Sequence, residues 1–114
     1  MGFIIKLTIN SIAILIVTHI VKGVEVISPM TAIVVALVLG LINAFIRPFL
    51  ILITLPINFL TLGIFTLFIN GFLFLMVSRI VKGFVVTGFW PAFFGAMIFG
   101  LISILLSALV AKED

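Results

Sequence analysis

Charge is what this chain has least of. Its 114 residues include six Lys or Arg, three Asp or Glu and one His. A soluble domain carries about a quarter of its residues as charges, and nine cannot clothe a water-facing surface of this size. Cysteine and tyrosine are absent, which removes thiolate metal sites, thiol nucleophiles and phenolic acids. The single histidine, His19, rules out a multi-histidine metal centre and sits near the end of an apolar run, where an interfacial side chain is expected. The serines have no histidine or acidic partner nearby in sequence. Neither an enzyme nor a metal or cofactor site is expected. The pI near 10 comes from basic residues scattered among loops rather than clustered on one face, so a nucleic-acid surface is not expected either.

What remains is apolar: 66% of the chain is hydrophobic, with 13 Phe. Uncharged runs of 21, 31 and 29 residues separate Glu25 from Arg47, Arg47 from Arg79, and Lys82 from Lys112. Before them, Gly2 to Val21 holds only Lys6 and His19, both close enough to an end to snorkel. Crossing a hydrocarbon core takes about 20 apolar residues. The pattern predicts an all-α integral membrane protein with spans near 3–21, 30–46, 58–81 and 90–110 and a connector over 47–57. A lone Lys6 and no small-residue cleavage site argue against a cleaved signal peptide.

The tetrapeptide IVKG occurs at 20–23 and again at 80–83. Residues 10–43 laid on 70–103 without a gap give 13 identities in 34 positions. Many are cheap matches of aliphatic residues, but Asn10/Asn70, Lys22/Lys82, Gly23/Gly83 and Gly40/Gly100 hold the same register. The expected organisation is two tandem helical hairpins, each span–loop–span. Both copies then enter the membrane in the same sense, related by a pseudo-two-fold axis along its normal. Pro29 and Pro91 fall where the second helix of each hairpin should begin, a tolerated place for proline.

Ala32, Ala36 and Gly40 recur every four residues in the second span, as do Ala92, Ala96 and Gly100 in the fourth. Close approach over small side chains is the usual source of helix association in lipid, so these rows are candidate packing faces and a homo-oligomer is expected. Against that stands the general abundance of Ala and Gly in membrane helices. Asn10 and Asn70 lie inside spans and read as polar glue near the axis, with a ligand site as the alternative. Arg47, Pro48 and Pro56 break the connector, which either dips into the membrane or lies at its interface. Arg47 could hold lipid phosphate or the last carbonyls of the second span.

The segment "NAFIRPFLILITLPINFLTLGIFTLFINGFLF", with Asn43, Arg47-Pro48, Leu55-Pro56, Leu60-Thr61-Leu62-Gly63 and Asn70, and the closing "GAMIFGLIS" of residues 95–103, carries a resemblance. The chain resembles the mycobacterial-type four-span phage holin family, superfamily IV. The resemblance implies a multi-pass protein of the bacterial cell membrane with cytoplasmic termini, and it brings no catalytic or ligand residues with it. It suggests membrane permeabilisation or envelope maintenance through self-assembly. A small transporter or channel subunit and an accessory scaffold for envelope-stress proteins are the competing classes; the lack of acidic residues within the spans weighs against a proton-coupled transporter. Loop charge gives orientation little help. Lys6, Arg47 and Lys112 share one side, and Lys22, Arg79 and Lys82 share the other.

Overall fold

The computed structural model describes residues 2–61 and 63–113. Leu62 of the connector motif, Asp114 of the tail, and the side chains of Ile57, Asn58, Leu60, Lys112 and Glu113 lie outside the described residues. The described residues are mainly helical, with two short strands among them. In order it forms α1 (Phe3–Ile20), β1 (Val24–Val26), α2 (Pro29–Phe45), α3 (Arg47–Ile53), α4 (Leu55–Leu60), α5 (Ile64–Ile80), β2 (Phe84–Val86) and α6 (Phe89–Glu113).

Two helices, α1 and the Phe89–Ala111 part of α6, are long and apolar enough to cross a membrane, and α2 with α3 makes a third candidate bent by 41°. Helix α5, with 17 residues, is a shorter apolar helix. The bend follows from local chemistry. Ile46 caps α2, and Pro48 opens α3 in the first turn, where its missing N–H costs nothing. A second break falls at Thr54, whose hydroxyl donates to the Leu50 carbonyl at 2.7 Å, and Pro56 follows one residue into α4. The third span expected from about residue 58 is thus divided, and α5 starts only after Gly63, a left-handed residue at φ 87°.

The all-helical architecture carries one feature that the sequence did not suggest. The two IVKG loops do not end as simple turns; each runs into a three-residue strand, and the strands pair antiparallel as Val24↔Val86, Glu25↔Val85 and Val26↔Phe84. The segments VEV and FVV are β-branched or aromatic at nearly every position, which suits a half-buried ribbon. The pairing extends reciprocally: Ile27 N–H donates to Gly83 O at 3.0 Å and Thr87 N–H to Gly23 O at 2.9 Å. Gly23 and Gly83 make the turns at φ 94° and 91°. A Cβ on Gly83 would lie 2.6 Å from Ile27 Cγ1, so glycine is required there for space as well as for backbone.

One face of the ribbon, Val24, Phe84 and Val86, is buried against the helices, while Glu25 and Val85 on the other are exposed. Beneath it lies a dry core with Ile14, Val17, Val35, Leu73, Phe74 and Val77 at its centre. The Phe74 ring meets Phe84 edge-on at 5.3 Å and Phe99 at 6.3 Å. Helices α5 and α6 approach closely at Gly71, where an added Cβ would fall 2.9 Å from the Phe93 Cα. Many large apolar side chains, mostly Ile, Leu and Phe, face outward from the helices, as hydrocarbon favours.

Candidate functional site

A group of polar helix side chains collects at the end away from the ribbon. Asn10 and Asn70 each lie ten residues before their helices end at Ile20 and Ile80, about 15 Å at 1.5 Å per residue. With Lys6 of α1, Asn43 of α2, Arg47 of α3 and Ser103 of α6 they line an open cavity of about 340 Å³. Leu73, Phe74 and Phe99 line the same cavity, and these belong to the buried core. The cavity is therefore a cup: polar walls, an apolar floor, and the Phe74 ring standing between it and the ribbon.

Ser103 Oγ donates to Asn10 Oδ1 at 2.6 Å, tying α6 to α1. Three other buried atoms, Asn43 Oδ1, Asn70 Oδ1 and Arg47 Nε, make no hydrogen bond to a described residue. Leaving a buried polar atom unpaired costs about 1–3 kcal/mol. In hydrocarbon, polar side chains kept in that state are a functional signal. Among the described residues no acidic side chain lines the cup, whereas Lys6 and Arg47 both do. Electrostatically it favours an anion. Chemically it offers guanidinium, ammonium, carboxamide and hydroxyl groups, which suits multidentate recognition of oxyanions.

The other sequence candidates divide. Ala32, Ala36 and Ala92 are buried within the chain, whereas Ala96 and Gly100 line the cup. Gly40 is exposed, with nothing within 4 Å of a Cβ placed on it, and its row continues to exposed Ala44. Gly40 and Ala44 line a second cavity of about 250 Å³ between α1 and α2, an apolar groove that shares Lys6 and Asn10 with the cup. Pro48 and Pro56 shape the connector without lining either cavity. His19 is exposed at the ribbon end of α1.

Sequence reading missed Ser103 and Lys6 as members of the site. It took Lys6 for an end charge and Asn43 for a family mark only. The signal was available in the repeat register, since Asn43 falls on Ser103 just as Asn10 falls on Asn70.

Fold and cup together define a multi-pass bacterial membrane protein with a polar recess opening at one end. The chain belongs to the mycobacterial four-transmembrane phage holin family, superfamily IV, whose model matches residues 1–105. It is 39% identical over 89 residues to the uncharacterized protein SCO3922 of Streptomyces coelicolor, covering 75% of this chain and 71% of the relative. It is 27% identical over 103 residues to the uncharacterized membrane protein YvlD of Bacillus subtilis, covering 90% of this chain and 87% of the relative. No solved structure matches the chain. The family is one of holin-like membrane proteins.

Proposed function

We propose that this protein is a membrane-embedded binding protein of transporter type, which takes an anionic, multiply hydrogen-bonding group into the cup from the end carrying the N-terminus and connector. The observation that carries this reading is the convergence of Lys6, Arg47 and three Asn side chains on one recess, where the buried Arg47 Nε–H has no acceptor among the described residues. The sequence weighs against transport because charge is scarce within the spans, and acids are missing from them. A cationic recess answers that objection for an anionic ligand.

The reading includes a duplicated hairpin of parallel type. The ribbon register supports it, because its centre pairs Glu25 with Val85 and its flanks pair Val24 with Val86 and Val26 with Phe84. A shift of sixty residues maps that set of pairs onto itself, as a two-fold axis through the ribbon requires. The Thr18 hydroxyl to Leu15 O and the Ser78 hydroxyl to Leu75 O, both 2.6 Å, repeat the same detail sixty residues apart. Such an axis would bring Asn10 and Asn70 to opposite walls of one site, where transporters with internal repeats place their substrates.

Purified protein in phosphatidylcholine vesicles should hold potassium and carboxyfluorescein gradients while sulfate or phosphate raises its unfolding temperature. Anion-independent stability would remove the reading. A second reading, permeabilisation by self-assembly, is favoured by the open row at Gly40 and Ala44. Its mark would be leak that rises steeply with protein density, together with loss of crosslinked species when Gly40 and Gly100 are both changed to Leu.

A further inference from the structure

The cup and the groove are not separate features. Both are lined by Lys6 and Asn10, so one apolar channel along α1 and α2 joins one cationic recess at these two residues. The groove adds Phe3, Leu7, Leu37 and Leu41 as apolar wall, and the absent side chain of Gly40 keeps it open. A free anion would use only the cup. A neutral lipid would use only the groove. The pair has the outline of an amphiphile whose head carries negative charge.

We propose that cup and groove together hold a phosphate-bearing lipid, with the phosphate between Lys6 and Arg47, its oxygens within reach of the Asn43 and Asn70 amides, and one acyl chain lying between α1 and α2 over Gly40. This rests on the reading of the cup as an anion site. Phosphate suits the donors: a guanidinium presents paired N–H groups to two oxygens, and carboxamide N–H groups supply the rest. Among the unpartnered buried atoms, Arg47 Nε is a donor lacking an acceptor, which a phosphate oxygen would supply; the Asn43 and Asn70 oxygens are acceptors and call for a donor, such as the hydroxyl of a singly protonated phosphate or a water. Hydrocarbon on both sides of the groove makes the acyl contact nearly neutral in energy, so preference among lipids falls to the head.

The test uses the full chain in phosphatidylcholine nanodiscs, carrying Ala96→Cys as a reporter on the cup wall. The natural chain has no cysteine to interfere. Probes are dioleoyl phosphatidic acid, additional dioleoyl phosphatidylcholine, and inorganic phosphate. Readouts are lipid retained in native mass spectrometry and the rate at which the cysteine is alkylated. A basic residue near a membrane surface is worth about a fivefold preference, so two give phosphatidic acid about a 30-fold advantage over phosphatidylcholine. Lys6→Gln should cut that advantage about fivefold, and Arg47→Gln likewise. If Arg47→Gln fails to fold, Lys6→Gln alone decides, because Lys6 is exposed near a helix start. Gly40→Leu should fill the groove and weaken the lipid while leaving protection by inorganic phosphate intact.

Equal retention of both lipids, unmoved by Lys6→Gln, would overturn the proposal and leave only ordinary boundary lipid. Inorganic phosphate protecting as well as phosphatidic acid, with no effect of Gly40→Leu, would overturn the amphiphile but keep the cup as an anion site. Protection by neither probe would remove both the lipid and the anion reading of the cup.

Discussion

The two ends of this bundle solve opposite problems with corresponding stretches of sequence. At the ribbon end, Val17 and Val77, Val24 and Phe84, and Val26 and Val86 occupy corresponding positions and close over one another. At the other end, Asn10 and Asn70, and Asn43 and Ser103, correspond just as closely and leave a recess. The ribbon end is dry and stable because its strands pair and its side chains interlock. The cup end forgoes part of that packing for a recess in which the Asn43 and Asn70 oxygens have no partner among the described residues. The charges complete the contrast. Lys6 and Arg47 of the cup come from the first half of the chain, and their counterparts in the second half are the neutral Thr66 and Ser107. In the proposed duplication, the repeat supplies the symmetric walls and divergence supplies the sign of the ligand.

The largest effect should follow from joining the two ends. Phe74 is 1% exposed, touches the ribbon through Phe84 and lines the cup. Phe74→Ala should destabilise by about 2–4 kcal/mol, somewhat below soluble-core values because lipid rather than water is the reference. It should also open a water path between cup and ribbon, read as proton or potassium leak in vesicles.

Gly83→Ala attacks the ribbon end alone. It forces a side chain onto φ 91° and against Ile27, and should cost about 1–3 kcal/mol, measurable by thermal unfolding in detergent. Ligand-dependent stabilisation at the cup should survive it.

Asn70→Leu attacks the cup alone and should separate stability from binding. Removing an unpartnered buried amide should be neutral or stabilising by up to about 1 kcal/mol, while stabilisation by anions falls. Stability lost without loss of anion response would make Asn70 a packing residue. The smallest effect on folding belongs to Gly40→Leu, expected within about 0.5 kcal/mol because nothing lies within 4 Å of its Cβ position. Unchanged crosslinking in that variant would favour lipid over a second copy as the occupant of the groove.

Much of this contrast is legible in the amino-acid sequence. Runs without charge point to the membrane, and the matched IVKG loops set the register in which Asn10 meets Asn70. The ribbon is not legible, because three residues such as VEV are too short to carry a strand signal and their partner lies sixty residues away. The cup is half legible. Asn10 and Asn70 stand out as amides at membrane depth, but Ser103 is an ordinary residue in a membrane helix until its hydroxyl is found 2.6 Å from Asn10. Lys6 looks like a snorkelling end charge, and only tertiary structure puts it in one recess with Arg47. The row of small residues divides for a related reason: Ala32 and Ala36 meet neighbours inside the chain, whereas Gly40 meets none. Spacing along one helix cannot say where its partner helix ends.

The most direct measurement of a one-ended cup is cysteine accessibility from each side of the membrane. Ala96→Cys reports the cup, and Thr87→Cys, exposed beside the ribbon, reports the opposite face. In vesicles of known orientation, a membrane-impermeant thiol reagent should label Ala96→Cys only from the side of the N-terminus and connector, and Thr87→Cys only from the other. Labelling of Ala96→Cys from both sides would mean a continuous pore and contradict the account; labelling from neither would mean that no aqueous cup exists.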